Sequence, residues 1–292
     1  MNVAPGSPRA LERTTRIVNS PGQLERQHSK LVARRSRFRL LLNFLIPAAL
    51  LLGWEVGAIF GMIDRRFFPP PSATTIAAIK LFANGSLLGQ IVVTLYRVFA
   101  GYLPGALIGV VFGIFTGSYW TADALFRPVL TAMYTVPKLG IFPLMLLIFG
   151  LGDLPKIALV GLSVFLLIAI TAHDAARAVP SGFIDVGRVF GAKPHHRFLE
   201  ITLPASATMI FSGLRLAMGQ AILVTIATEM VNGDDGVGFL IWHSWSIFEP
   251  ASMFVGIVTS ALVGVLSIGL VTIVERFCIC WEDQNQTKLA FT

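Results

Sequence analysis

The sequence predicts an all-α polytopic membrane protein with about six transmembrane helices. Three observations predict it. Of 292 residues, 54% are hydrophobic and only 13% charged, against about 25% charged in a typical soluble domain. The mean hydropathy is +0.73. Long apolar runs recur along the chain, separated by short stretches where Pro, Gly and charge collect.

The charge is concentrated at one end. Residues 1–39 hold nine Lys or Arg against Glu12 and Glu25, which accounts for the whole formal charge of +7. With Pro5, Pro8, Pro21, Gly6 and Gly22 and no sustained apolar period, this stretch reads as a disordered basic tail up to about Lys30. Beyond that it becomes a basic approach to anionic headgroups. Phe38 alone does not make the aromatic interleaving of a nucleic-acid binder, so no nucleic-acid partner is expected. Cys278 and Cys280 form neither a disulfide framework nor a zinc set.

The elements follow in order. Leu40 to Met62 is long enough to cross a bilayer core, and too long for a signal-peptide core, so it is a retained anchor. Phe67-Phe68-Pro69-Pro70-Pro71-Ser72 then breaks the helix, with Ser72 placed to cap a short amphipathic helix running to about Phe82. A second span runs from about Gln90 to Gly117, with Gly101, Gly105, Gly109 and Gly113 at every fourth position. That stripe lets another helix approach closely. Span three, about Pro128 to Phe149, is interrupted at Pro137 and Pro143. Lys138 between them is either part of a polar path or a snorkelling side chain beside an ordinary kink.

Span four starts near Pro155 and ends near Ala172, followed by Asp174 and Arg177 at a helical pairing interval. Span five runs from about Ala205 to Val231, and the last from about Ala251 to Phe277. The loop Asn232 to Gly238 is a glycine-rich turn with no phosphate-binding context, and Trp242, Trp245 and Phe248 after it suit an interfacial belt. Six spans put the basic tail, Arg127, Arg177, Arg188, Lys193, Arg197, Arg276 and Lys288 on one side and only Arg65, Arg66, Lys80 and Lys156 on the other. The positive-inside rule then makes both termini cytoplasmic.

Between spans four and five lies the most informative stretch, Asp185 to Pro204. Val186, Val189 and Phe190 recur on one face of a short helix, with Asp185 and Arg188 turned elsewhere. Gly191 can end that helix in a left-handed residue, and Pro194 can open another. The product is a helix-Gly-helix elbow too polar for lipid, which projects and docks on something. His195-His196 is not expected to bind a metal, because adjacent helical residues point about 100° apart.

The order acidic residue, two small or apolar residues, three residues, Gly, nine residues, Ile, one residue, Leu-Pro resembles the "EAA" loop of ATP-binding-cassette importer permeases. Asp185 stands where that motif has Glu, Val186-Gly187 where it has Ala-Ala, Gly191 on its Gly, and Ile201, Leu203 and Pro204 on its closing residues. Gly213-Leu214-Arg215 in span five is similar to the same permeases. The resemblance spans about Leu88 to Arg276. Phe68-Pro69-Pro70-Pro71-Ser72, Pro137-Lys138 and Glu229-Met230 look most like the branch importing nitrate, sulfonates, taurine or thiamine precursors.

The resemblance implies a type I importer-permease fold in the inner (plasma) membrane of a bacterial cell. It implies a basic cytoplasmic tail at 1–39, a first helix and periplasmic segment at 40–87, a permease core at 88–276 with its coupling loop at 174–206, and a tail at 277–292. Two permease copies would enclose the path, with a P-loop ATPase dimer on the cytoplasmic elbows and a periplasmic or lipid-anchored binding protein delivering solute. Asp185, Arg188, Gly191, Ala192, Ile201, Leu203 and Pro204 would form the ATPase-coupling loop; Lys138, Gln220 and Glu229 would contribute to the path or its gate. The chain itself contains no Gly-x-x-x-x-Gly-Lys-Ser/Thr. No catalytic residue and no cofactor of its own are therefore expected, and ATP would be hydrolysed by the partner. The competing reading is a secondary transporter or channel driven by an ion gradient, with Arg97, Lys138, Arg215 and Glu229 as its ionisable candidates.

Overall fold

The computed structural model describes residues 45–279. The basic tail, the first five residues of span one, Cys280 and Lys288 lie outside the described residues. Those up to Asp64 form one unit and those from Arg65 another. In the first unit, helix α1 is described over Leu45–Ile59. It closes through Met62 N–H donating to Gly57 O at 2.9 Å, with Gly61 left-handed at φ +72°.

The regular elements among the described residues of the second unit are all helical: α2 (Pro71–Ala83), α3 (Ser86–Ser118), α4 (Trp120–Thr135), α5 (Lys138–Phe149), α6 (Leu154–Arg177), α7 (Ser181–Val189), α8 (Pro194–His196), a π-helical turn (Arg197–Thr202), α9 (Leu203–Asn232), α10 (Val237–Ser246) and α11 (Pro250–Cys278). Among the described residues α3, α6, the continuous Arg197–Asn232 and α11 are long and apolar enough to cross a membrane. The helices α4 and α5 make a fifth if taken as one span, bent by 95°. Of the six expected spans, the described residues thus hold four full ones, one broken one and, in α1, the described part of the first.

Helix α6 is the hub, packing on α3, α9, α5 and α4. The glycine stripe explains the closest of these contacts. A Cβ at Gly105 would stand 2.5 Å from Gly161 O, and one at Gly113 2.5 Å from Ala169 O, so α3 lies directly on the α6 backbone. The stripe continues to Gly117 against His173 O. From α9, Gly213 lies under Thr171 of α6. Val98, Tyr102, Leu159, Val164, Ala217, Met218 and Ile222 fill the space between the three helices.

Prolines set the boundaries. Val136 and Pro137 are both extended, as the residue before a proline prefers, and the chain turns there between α4 and α5; the interruption expected at Pro143 is absent, since Pro143 lies inside α5. The cap of α2 is Pro70 with Pro71 in the first turn; Ser72 lies one residue inside the helix and is not its cap. Arg177 pairs with Asp123 of α4 at 2.5 Å, not with Asp174, because Asp123 stands across from the last turn of α6.

Candidate functional site

The elbow is built from α7, a left-handed residue, α8 and the π-helical turn. At the end of α7, Phe190 N–H donates to Val186 O at 3.1 Å, Gly191 N–H to Arg188 O at 3.0 Å, and Ala192 N–H to Gly187 O at 2.9 Å. Gly191 has φ +71° with open space where a Cβ would go, so the backbone conformation and not crowding calls for glycine. The chain restarts at Pro194 and passes through the π-helical turn into α9 without a second break, with Pro204 in the first turn of α9. The elbow's second arm is thus the root of a spanning helix.

Its inner face is fixed by Gly187. A Cβ there would lie 2.6 Å from Ile201 Cδ1 and 3.4 Å from Arg197 Cγ. Leu203 packs toward Ile114, Ala172, Ala175, Ala176 and Ile210, which ties the elbow to α3, α6 and α9. The anchorage is extended by Asp123 with Arg177, and by His173 Nδ1 at 3.3 Å from Thr116 Oγ1. His173 Nε2 also lies 3.3 Å from Asp123 Oδ1, without the alignment of a hydrogen bond.

The outer face is apolar. Phe183 and Val186 are exposed, and Val189 and Phe190 are 84% and 85% exposed. Asp185 and Arg188 pair at 3.3 Å with both side chains in solvent, an interaction worth about 0–1 kcal/mol and readily exchanged for a partner's groups. A rigid base under an exposed apolar face on a polar projection is the arrangement of a docking surface.

At the opposite end of α3, α6 and α9 is a polar cluster that sequence reasoning did not assemble. Arg97 of α3 is 2% exposed and Glu229 of α9 is 0% exposed. Arg97 Nη1 donates to Glu229 Oε1 and to Asp235 O, each at 2.9 Å; Nε donates to Asp153 Oδ1 at 2.7 Å; Nη2 pairs with Asp235 Oδ1. Glu229 also accepts from Thr94 Oγ1 at 2.9 Å and from Gly238 N–H at 2.9 Å. Val237 N–H donates to Thr94 Oγ1 at 2.8 Å, and Gly236 N–H to Gln90. The glycine-rich loop read as a plain turn is therefore wrapped around an internal carboxylate. At Gly236, with φ +101°, and at Gly238, a Cβ would collide with Glu229. Lys156, assigned by the charge pattern to the side opposite the basic tail, is 4% exposed and within electrostatic range of the same groups.

The fold, the elbow and its spacing meet in one comparison. The family described as "Binding-protein-dependent transport system inner membrane component" matches residues 109–278, more than half of the chain and the whole elbow. The chain belongs to this family of importer permeases. A putative aliphatic sulfonates transport permease protein from Bacillus subtilis is 29% identical over 91% of this chain and 97% of its own length. The taurine transport system permease protein of Escherichia coli is 26% identical over 89% of this chain and 98% of its own. In three dimensions the permease is similar to a chain of the MetNI methionine transporter in an inward-facing conformation, with a TM-score of 0.51 and 16% identity over 67% of this chain and 97% of that one.

The remaining site candidates of the permease lie apart. Lys138 Nζ donates to Tyr134 O and stands 4.1 Å over the Tyr134 ring, at the break between α4 and α5. Gln220 is half-buried on α9. Glu229 is enclosed in the Arg97 cluster and reaches neither. Arg215 pairs with Glu275 of α11 and donates to Ser212 Oγ at 2.8 Å. The His195 and His196 rings do not diverge as expected but lie side by side, centroids 4.1 Å apart, with His196 Nδ1 2.8 Å from Glu200 Oε1. Among the described residues no three His, Cys, Asp or Glu gather as a metal set.

Proposed function

We propose that this permease is the membrane-spanning subunit of an ATP-driven importer of small anionic solutes of the sulfonate and taurine type, and that its elbow is the surface on which a partner ATPase acts. The observation that carries the reading is the outer face of α7. Phe183, Val186, Val189 and Phe190 are exposed on a segment whose inner face is locked to the spans through Gly187 and Ile201. An apolar face that a polar loop holds out of both the bundle and the lipid is stabilised when a soluble partner covers it.

Because the second arm of the elbow continues into α9, a push on it acts on a spanning helix. Asp185, Arg188, Gly191, Ala192, Ile201, Leu203 and Pro204 form the coupling loop in this reading. A second permease copy completes the path, Lys138 and Gln220 contribute polar groups to it, and Glu229 acts through the closure of the outer end. A binding protein delivers solute from outside, and both termini of the permease face the cytoplasm. The solute class is supported by the relatives named for aliphatic sulfonates and taurine.

The ion-gradient reading needs ionisable groups free to face a cavity. Arg97, Glu229 and Arg215 are each committed to partners inside the protein, which favours the ATP-driven reading.

The test is taurine and sulfonate uptake into proteoliposomes holding the permease, its partner ATPase and the binding protein. Uptake requires ATP and survives ionophores. Phe190→Asp removes ATPase co-purification and uptake while membrane insertion is kept. Uptake without ATP that collapses with ionophore overturns the reading.

A further inference from the structure

Beside the elbow, the end of α3 opens into a cavity of about 450 Å³ bounded by Ser118, Arg177, Ser181, Arg188, Arg197 and Thr202. Three guanidinium groups border it and no carboxylate does. Asp123 engages Arg177 and Asp185 engages Arg188, one carboxylate for each. Arg197 is different: its stem lies across Gly187, and its Nε is buried and donates to no protein acceptor. A cavity with hydroxyls and an excess of arginine over carboxylate fits a phosphate, whose oxygens match the guanidinium fork.

The cavity is not isolated. Tyr119 and Phe198 line it and also line a second, apolar groove of about 910 Å³. That groove follows the unburied face of α3 through Leu107, Val111 and Phe115, residues one helical turn apart. From Leu107 to Phe115 it is about 12 Å long, most of one leaflet's half of a hydrocarbon core about 30 Å thick. The basic cavity sits at the end of a helix long and apolar enough to span a bilayer, where headgroups would lie, and the groove runs from it along the length that acyl chains would meet.

We propose that cavity and groove together hold one anionic phospholipid, its phosphate among Arg177, Arg188 and Arg197 and an acyl chain along α3. A free oxoanion would use the cavity and leave the groove empty. A second copy of the chain would use the groove and leave Arg197 unanswered. A lipid satisfies both, and its charge complements the arginine excess. This assignment is independent of the importer reading, since it needs only a bilayer surface at the elbow. It makes the elbow's root a place where membrane composition bears on the permease.

The experiment is native mass spectrometry of the full-length chain in mild detergent with dioleoylphosphatidylglycerol, dioleoylphosphatidylcholine or inorganic phosphate added; no ATPase is present, so failure here leaves the importer reading untouched. One phosphatidylglycerol per chain is retained in preference to phosphatidylcholine. Arg197→Gln weakens retention by about tenfold, as expected for one charge-assisted contact. Filling the groove with Val111→Trp weakens it comparably. Should Arg197→Gln fail to fold, Arg188→Gln, on a solvent-exposed side chain, carries the same comparison. Three results overturn the proposal: equal retention of the two lipids; inorganic phosphate displacing phosphatidylglycerol while Val111→Trp has no effect; or a Val111→Cys variant cross-linking between copies with no lipid retained.

Discussion

Removing Arg97 should damage this protein more than neutralising its buried partner Glu229. In Glu229→Gln the side chain keeps its shape and its Oε1 still accepts from Arg97 or Thr94. The amide nitrogen then faces Gly238 N–H, a donor against a donor in a site with no solvent access. One buried group left unsatisfied costs about 1–3 kcal/mol. Arg97 keeps Asp153 and Asp235, so no uncompensated cation is created. Arg97→Met is another matter, because it strands three carboxylates together, one of them 0% exposed. Breaking a buried pair from that side costs about 3–5 kcal/mol. Once Glu229 is Gln, the same Arg97→Met leaves only Asp153 and Asp235, which water can reach. The double variant should therefore be more stable than the sum of the single losses predicts, by about 1 kcal/mol or more. The assay is denaturant unfolding of the full-length chain in mild detergent, run as a double-mutant cycle. If Arg97→Met proves no worse than Glu229→Gln, or the two losses add within about 0.5 kcal/mol, the clasp described here does not hold α3 and α9 together.

Other outcomes follow from the same geometry. Gly113→Val would drive a side chain into Ala169 O and the Ala172 Cβ, and overpacking of that kind costs about 1–3 kcal/mol; thermal unfolding in detergent should show it, and an unchanged midpoint would contradict the close α3–α6 contact. Gly191→Val meets no neighbour, so its cost of about 1 kcal/mol or more is purely the left-handed backbone; expression should persist while uptake and ATPase co-purification fall, and wild-type uptake would count against the elbow's role. Lys138→Met loses only the contacts to Tyr134, so folding should be kept; comparing uptake at matched protein level separates a path residue, whose loss slows transport, from a snorkelling one, whose loss does not.

Much of the fold was legible because it is written in local periods. The four-residue glycine repeat announced that another helix approaches α3 closely; the structure shows that helix to be α6 and adds Gly117 to the stripe. Pro137 announced the break between α4 and α5, whereas Pro143, expected to interrupt the same span, lies inside α5, as Pro104 and Pro128 lie inside α3 and α4; a proline disfavours helix in the residue before it, and packing decides where that preference wins. The 95° angle between the two pieces was not legible, because it is set by what each piece packs on. Ser72 was misplaced as a cap for a local reason: three consecutive prolines precede it, and Pro71 already suits the first helical position. The pairing of Arg177 was misread because an interval of three on one helix competes with a partner on another, and Asp123 lies 54 residues away in sequence.

The two candidate sites differ in the same way. The elbow is contiguous, so spacing, a glycine and two prolines were enough to outline it, and the missing element was only that Gly187 makes room for Ile201 and the Arg197 stem. The polar cluster joins Arg97 to residues 56, 132 and 138 positions further on and Thr94 to residues 135 and 143 further on, and no window of sequence contains it. One signal was available. Glu229 is followed by Gly233, Gly236 and Gly238, a density of glycine that a surface turn does not need. A loop has to shed its Cβ atoms when its backbone N–H groups close over an anion. With no phosphate-binding helix in the pattern, the anion had to be internal, and the nearest carboxylate at the end of a membrane span is Glu229. Its full burial then demands a cation, and Arg97, near the matching end of α3, is the one the fold supplies.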